Sequence, residues 1–599
     1  MKVLLSILRE MADLPNDADA VALALNSLGL AVEEMDVVGV PVPGVVTARI
    51  VRMEKHPDAA KVTRCFVDAG DGEERHVWCG ATNMQPGDIV PLATLGTSMP
   101  NGMEIARRGI LGIDSEGMLC SEVELGLSDE SSGLLILPAD SPVGVSPFEV
   151  LGIEHDVIFD LDLTRNRADC WGHLGVARDL AAHFGVALHG PRISATPTGS
   201  NKSLEVVIDA PEQCGSFTIS YISGASVGPS PRWVASRLAH LGMRSINNVV
   251  DASNLVMLET NQPNHAYDAD VVSSFRVRLA NAGETLTTLD GQTRNLHADD
   301  LLICNGATNV GVGLAGVMGD LHSEITDKTT TLAIESAWFS PDPIRYSAIR
   351  HGLRSEASIR FERGTDPNAW QQAAERFVTI LRETCPDATL HAGATEVQTD
   401  SCPVPVSVDV SVKRIESLLG VHIESERIVS ILNSIGFVTN IKGDVVTSIV
   451  PTWRPDCTQD VDLIEEVARL HGYDHIPAQA PVATLSMLEA PEARAHQAIL
   501  RDRMVAAGYQ ELVNYSFVDE AWETDLLANS RPIKLKNPIA SNLSVMRSSL
   551  WGGLLDSLVY NLNRKQDRAM LFELGASYHY ANGQQSSFVE TTRIAGLAY

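Results

Sequence analysis

The sequence predicts a multidomain α+β chain, and three observations carry that reading. Its 599 residues are enough for roughly four domains of about 150 residues each. The texture changes along the chain: mixed strand and helix signals flank a β-rich stretch at 45–150, and mixed then helix-dominated regions follow. Breaks at Pro41-Val42-Pro43-Gly44 and from Pro191 to Ser203 fall where that texture changes.

Residues 1–38 read as strand then helix. Asn16 or Asp17 can cap a helix whose apolar stripe includes Val21, Leu25 and Leu28, with Gly29 as its stop. From 45 the runs VVTARIVRM, TRCFVDAG, RHVWCGA and DIVPLA alternate with Gly, Asp and Pro turns, the pattern of a small antiparallel barrel. Helix returns between 151 and 200 at HLGVARDLAAHFG. Residues 204–400 mix strands and helices, the last helix having Asp366 as cap and Pro367 at its first position. Three helices are expected within 402–476, Gly420 ending the first and Gly436 the second. From 485 an amphipathic helix runs to about Gly508, followed by the strand-like VNYSFV, and Tyr599 falls inside the apolar run TTRIAGLAY.

Composition narrows the function. There are 46 basic against 76 acidic side chains, a net charge of −30. Non-specific coating of nucleic acid needs clustered Lys and Arg, so any nucleic-acid contact is local or shared with a partner. Nine cysteines are scattered with no C-x-x-C pair, which fits reduced thiols and a cytoplasmic location and leaves no thiolate zinc signature. No stretch of about 20 apolar residues is present, so no membrane span is expected.

Three sets of motifs carry a resemblance. HPDAAKV (56–62), CGATNMQPGD (79–88) and GILGIDSEGMLCSEVELGL (109–127) together resemble the EMAP-type tRNA-binding module, an oligonucleotide-binding (OB) barrel. FDLDLTRNRADCWGHLGVARDLAA (159–182), GMRSINNVVDASNLVMLETNQPNHAYD (242–268) and RHGLRSEASIRFERGTDP (350–367) resemble the bacterial phenylalanyl-tRNA synthetase beta subunit family. LKNPIASNLSVMRSSLWGGLLDSLVYNLNRK (535–565) and MLFELGASYHY (570–580) resemble the class II synthetase core, without its arginine and ATP-binding pattern.

The resemblance implies an architecture. A split N-terminal domain (1–38 and 151–200) receives the OB-fold barrel (39–150) as an insertion. An α/β editing domain (204–400), a small helical winged-type domain (402–477) and a partial, non-catalytic class II-like antiparallel α/β domain (485–599) follow. It also implies a chain cut before its natural C-terminus, an α2β2 heterotetramer with an alpha subunit that performs adenylation, tRNA(Phe) as partner, ATP as substrate, and no DNA ligand.

The barrel's candidate tRNA contacts are Arg49, Arg52, Lys55, Lys61 and Arg64, with Arg107 and Arg108 on a separate strand. Between 40 and 150, however, eight basic residues face sixteen acidic ones, and Ala60 stands where the family pattern has an acidic residue; an interaction barrel with weak RNA affinity fits these counts as well.

For the editing domain the resemblance implies hydrolysis of tyrosine wrongly attached to tRNA(Phe). A phenylalanine pocket rejects an added hydroxyl only modestly, so a second site is needed. Glu335, in the apolar strand TLAIESAWF, is the candidate phenol acceptor, its pKa raised by burial. His265 is placed to hold or polarise water or to orient the substrate. Arg244, Ser355 and Ala357 lie in the matching loops, and Gly316 and Gly319 would let backbone approach the ligand. The same residues also read as structural: His265 as a loop histidine bonded to backbone, Glu335 as an ion-pair partner of Arg360 or Arg363.

In RPDCTQDVDLIEEVARLHGYDHIP (454–477), with Thr458 as a possible cap, Asp462, Glu465 and Glu466 share one helix face and Asp456 precedes it. Four carboxylates suit a hard cation, magnesium first; the resemblance assigns such a site here. The alternative is an acidic first turn that favours the helix dipole.

Overall fold

The computed structural model describes residues 1–55, 62–110, 113–127, 133–153, 155–480, 482–486, 496–581 and 587–599. Two units emerge, Met1–Gln479 and Ala480–Tyr599.

The first unit begins with a three-stranded antiparallel sheet. Its central strand Asp156–Asp162 pairs with Lys2–Leu4 on one side and Ala31–Val38 on the other. Residues before and after the barrel thus share one sheet. The helix Ala18–Ser27 starts where the Asp17 carboxylate accepts the N–H groups of Asp19 and Ala20. It buries Val21 and Leu25, with Leu28 just after them, and stops at Gly29, whose φ of 81° suits only glycine well.

Between those strands lies a five-stranded sheet ordered Glu74–Cys79, Thr63–Asp68, Val45–Lys55, Ile89–Ala93, Met118–Leu119. The alternation read from the sequence is its pleat: Ala48, Ile50, Cys65, Val67, Val77, Val90 and Leu92 point inward into one cluster. A register shift between Ile50 and Arg52 re-aims the end of the longest strand.

Residues 205–398 contribute two facing sheets. One has Thr331–Phe339 between Asn264–Asp268 and Cys214–Ser223, the last also pairing with Thr389–Leu390 and Thr395–Gln398. The other is ordered Glu205–Ile208, Ser274–Leu279, Leu301–Asn305, Gly311–Leu314, Met318–Gly319. Phe217, Ile219, Tyr267, Ala333 and Ala337 of the first sheet share a core with Phe275, Leu302 and Val312 of the second. The reverse face, Ile222, Ala266, Leu332 and Ile334, belongs to a different core with residues of the helices Asn248–Thr260 and Trp370–Leu381. That last helix starts three residues later than the sequence suggested. The Asp366 carboxylate accepts the Asn368 N–H and the Thr452 hydroxyl instead of capping it.

Within 406–475 the three expected helices, Val412–Leu419, Ser425–Ser434 and Asp460–His471, are joined by a three-stranded sheet that helical punctuation alone did not reveal. Gly420 ends the first helix at φ 71°.

A buried charge network ties this module to the 151–200 segment. Arg167 donates to Asp169 at 2.9–3.0 Å and lies 2.8 Å from Asp179. Asp179 also accepts from Arg469, at 2.7 and 3.1 Å. Arg469 donates to Glu466, which takes two further bonds of 2.8 Å from Arg454.

In the second unit Met570–Tyr580 pairs with Phe588–Ala598 along its length and with Gln510–Glu511 at its start. A second small sheet combines Phe517–Val518, Val545–Met546 and Ile533–Lys534, so only the end of VNYSFV is strand. The helix Trp551–Asn563 packs Leu554 with Leu550 and Leu571.

Candidate functional site

The sheet register brings together residues far apart in sequence. His265 lies directly opposite Glu335 on the neighbouring antiparallel strand. The two-residue period puts Tyr267 on the same face. The Tyr267 hydroxyl donates to Glu335 Oε2 at 2.8 Å, and the His265 and Tyr267 rings meet edge to face with centroids 4.6 Å apart. Tyr267 is 1% and Glu335 6% exposed, whereas His265 is only partly buried.

The second sheet approaches as bare backbone. A methyl group added at Gly319 would sit 3.1 Å from the His265 ring, and one at Gly313 would sit 3.7 Å from the Tyr267 hydroxyl. Gly316 plays a different part from the one expected: its φ is 66° and an added methyl would meet Phe361, Phe339 and Ile344, so it serves a tight turn over the core.

Ser355 caps the helix Glu356–Phe361 and its hydroxyl donates to the Val317 carbonyl at 2.7 Å, so that group holds the turn leading to Gly319. Ala357, on the same helix, packs against the core between the two sheets. Arg244 is exposed on the loop between two helices, a loop fastened by the Ser245 hydroxyl and Ile246 N–H bonds to Asp251. Glu335 has neither suggested arginine as partner: Arg360 pairs with Glu356, and Arg363 with Glu362. Tyr267, missed by sequence reasoning, is two residues from His265, and the strand period was the signal that marks it.

Burial drives both titratable groups away from their ordinary values. It pushes the Glu335 carboxyl up to about 7, the Tyr267 hydrogen bond opposing part of the rise, and holds the His265 imidazole down at about 4. Near neutral pH the histidine is therefore neutral and the carboxyl is the group that titrates. Among the described residues, the Tyr267 bond to Oε2 is the one hydrogen bond recorded for Glu335, and none is recorded for the His265 ring.

The signs of the two shifts give a stability prediction. The folded state holds a proton on Glu335 that the unfolded state releases above about pH 4.5, so this contribution to stability falls as pH rises toward 7. His265 acts in the opposite direction: its contribution is present above its unfolded value of 6.5 and lost as pH falls toward 4. Glu335→Gln is expected to stabilise the fold more at pH 8 than at pH 5, by roughly 1–3 kcal/mol, in urea titrations at the two pH values.

On the five-stranded sheet, the Arg52 guanidinium lies 3.2 Å from the Phe66 ring centre, and Arg64 lies 4.7 Å from Phe66 and 5.8 Å from Trp78. Neighbouring carboxylates draw on this charge: Arg52 bonds Glu54 and Glu74, and Arg107 lies 3.3 Å from Glu116. Arg49, Lys55 and Arg108 are exposed; Lys61 lies outside the described residues. Phe66 is the next same-face position after Arg64, a signal the strand period offers, whereas Trp78 lies opposite Arg64 on the neighbouring strand and only the register places it there.

The acidic cluster at 456–466 does not converge. Glu466 is 1% exposed and faces Arg454 and Arg469. Burial pushes its carboxyl up, but the two arginines override this and hold it well below its ordinary value. Asp456 is paired with Arg454. Asp462 accepts the N–H groups of Thr458 and Gln459, at 2.8 Å each, in a capping box with Gln459, not Thr458, as N-cap. Glu465 alone is exposed. No group of three or more His, Cys, Asp or Glu among the described residues is arranged to hold a metal ion. Arginine or backbone N–H groups thus engage Asp456, Asp462 and Glu466, and Glu465 faces solvent.

In the second unit Arg547 and Glu573 are each 3% exposed at the side chain and bonded at 2.6 Å. Arg547 also donates to the Ala576 carbonyl at 2.9 Å, and Glu573 accepts from Asn514 at 2.8 Å. The arginine is thus occupied within the protein.

Four family models match in order along the chain: a putative tRNA binding domain at 45–146, a B3/4 domain at 213–386, a tRNA synthetase B5 domain at 408–473 and a phenylalanyl tRNA synthetase beta chain CLM domain at 476–599. With the two facing sheets and the five-stranded sheet between 45 and 119, they define a multidomain α+β chain of the aminoacyl-tRNA synthetase class that carries a tRNA-binding domain. The phenylalanine--tRNA ligase beta subunit of Dechloromonas aromatica is 39% identical over all of this chain and 76% of its own length. That of Anaeromyxobacter dehalogenans is 41% identical over 96% of this chain and 72% of its own. The chain belongs to the phenylalanine--tRNA ligase beta subunit family. No described helix is long and apolar enough to cross a membrane.

Proposed function

We propose that this chain works with an alpha subunit, in an α2β2 assembly in the cytoplasm, to attach phenylalanine to tRNA(Phe), and that it contributes tRNA binding and hydrolysis of Tyr-tRNA(Phe). The observation that supports the hydrolytic reading is the opposed pair of His265 and Glu335, each with an open hydrogen-bonding valence, beside the bare glycine backbone of the facing sheet. A half-ionised carboxyl accepts a phenol hydroxyl, and a neutral imidazole positions or deprotonates water for attack on an ester. No side-chain nucleophile is required.

In this reading residues 45–146 are an OB barrel, 408–473 a winged-type module and 485–599 a class II-like fold used for assembly. Adenylation, with its ATP and magnesium, belongs to the alpha subunit; the engagement of Arg547 by Glu573 supports that division. The deciding assay is release of tyrosine from tyrosyl-tRNA(Phe) by the holoenzyme, compared with Glu335→Ala and His265→Ala. Undiminished release in both variants rejects the site. Activity of this chain without an alpha subunit would favour a free-standing trans-acting deacylase, and no release at all a tRNA-binding scaffold.

The barrel gives its own prediction. Arg64→Ala removes a stacked guanidinium and is expected to weaken tRNA binding about tenfold and to lower the slope of log affinity against log salt by about 1, measured by filter binding across a salt series.

A further inference from the structure

We propose that Tyr267 is a positioning residue of the His265–Glu335 pair: its phenol O–H holds one oxygen of Glu335 so that the other oxygen alone is left to accept an incoming aromatic hydroxyl. The proposal deepens the deacylase reading and rests on it.

The geometry supports a fixed donor. Tyr267 lies diagonally across the strand pair from Glu335, within reach of a long side chain. Its ring is clamped edge to face by His265, with centroids 4.6 Å apart, and by Phe275 at 5.2 Å. The hydroxyl therefore has little freedom to leave Glu335 Oε2, 2.8 Å away. A carboxylate offers two acceptor oxygens. With one held by the protein's own tyrosine, Glu335 presents a single oriented acceptor, Oε1.

That arrangement bears on selectivity. A tyrosyl ligand completes the open valence of Glu335. A phenylalanyl ligand leaves a buried carboxyl oxygen unpaired, which is the strong form of discrimination available to a binding site. An untethered carboxyl could rotate to find other partners and would discriminate less. A purely structural Tyr267 would need only its ring, since Phe275 and His265 contact that ring.

The charged and titratable groups facing the pair are His265 on the strand of Tyr267, Cys214 on the strand at the other side of Glu335, and Cys304 and Asp320 on the opposing side. The Tyr267 bond lowers the Glu335 pKa against the upward push of burial, so removing it moves the titration upward.

The test compares wild type, Tyr267→Phe and Glu335→Gln in the intact chain by infrared difference titration of the protonated carboxyl band. The band lost in Glu335→Gln identifies Glu335. In wild type it is expected to titrate near pH 7, and in Tyr267→Phe about one pH unit higher. Coincident titrations overturn the proposal whether or not the chain deacylates anything. With the holoenzyme, Tyr267→Phe is expected to raise KM for tyrosyl-tRNA(Phe) about tenfold and to leave kcat within about twofold. An unchanged KM likewise overturns it. A wild-type holoenzyme that releases no tyrosine removes the deacylase reading, while the infrared comparison still decides the role of Tyr267.

Discussion

Glu335→Ala in the holoenzyme is expected to release tyrosine from tyrosyl-tRNA(Phe) about 10- to 10²-fold more slowly than wild type, the effect of removing a charged hydrogen-bond acceptor for the substrate phenol. The direction follows from the pairing. Glu335 is the only carboxylate opposite His265 in the register, and an alanine leaves both the His265 ring and the Tyr267 hydroxyl facing an empty corner. If the ionised carboxylate is the acceptor for the substrate phenol, the hydrolysis rate of wild type rises with pH through about 7. The His265 contribution is flat over that range, because its imidazole is already neutral above about 4. His265→Ala is therefore expected to lower the rate without moving the midpoint of the pH profile, whereas Glu335→Gln abolishes that midpoint. A midpoint near 7 that survives Glu335→Gln would assign the titration to another group. Phenylalanyl-tRNA, lacking the hydroxyl, should be hydrolysed slowly by wild type and be less affected by either change.

How much of this was legible in the sequence depends on how far apart the interacting residues lie. The barrel strands were readable because apolar and polar residues alternate within each short run and turn residues bound them. The helix after Asp17 was readable because capping and stripe are both local. The pairing of His265 with Glu335 was not derivable from pattern: the strands are about 70 residues apart, and a slip of one residue would turn Glu335 to the opposite face, where Ile334 and Leu332 are buried. The motif at 242–268 contains His265, and Glu335 stands out as a carboxylate inside an apolar strand; only the register puts them face to face. Tyr267 was legible in principle, as the next same-face position after His265. Ser355 was nominated for its place in a motif, but its hydroxyl satisfies a backbone carbonyl, a use that sequence alone does not distinguish from ligand binding. The acidic run at 456–466 shows the opposite failure. Two of its neutralising partners, Arg454 and Arg469, stand in the same stretch and were readable as such. Asp179, which completes the network, is 290 residues from Arg469 and was not.

That network supplies the largest stability effect expected. Glu466→Ala leaves Arg454 and Arg469, 3% and 5% exposed at the side chain, without the carboxylate between them. Asp456 still pairs with Arg454 and Asp179 with Arg469, so losing this one carboxylate from the network is expected to cost about 2–3 kcal/mol, less than the full penalty of an uncompensated buried charge. A change of this size lowers the unfolding midpoint in urea or heat clearly. The neighbouring carboxylates should follow a graded order set by what each one touches. Asp462→Ala removes the acceptor for two N–H groups at the helix start and should cost about 1 kcal/mol. Glu465→Ala, on the solvent side, should stay within about 0.5 kcal/mol. Low pH tests the same point: the Glu466 carboxyl is held below its unfolded value by the two arginines, so its contribution is present above about 4.5 and is lost as pH falls through the depressed folded value. A cation site built from these four residues predicts something else. All four alanine variants would then lose stability together, and a chelator would reproduce the loss in wild type. The arginine network predicts no response to the chelator and a steep order from Glu466 through Asp462 to Glu465, so one series of unfolding curves with and without EDTA separates the two arrangements.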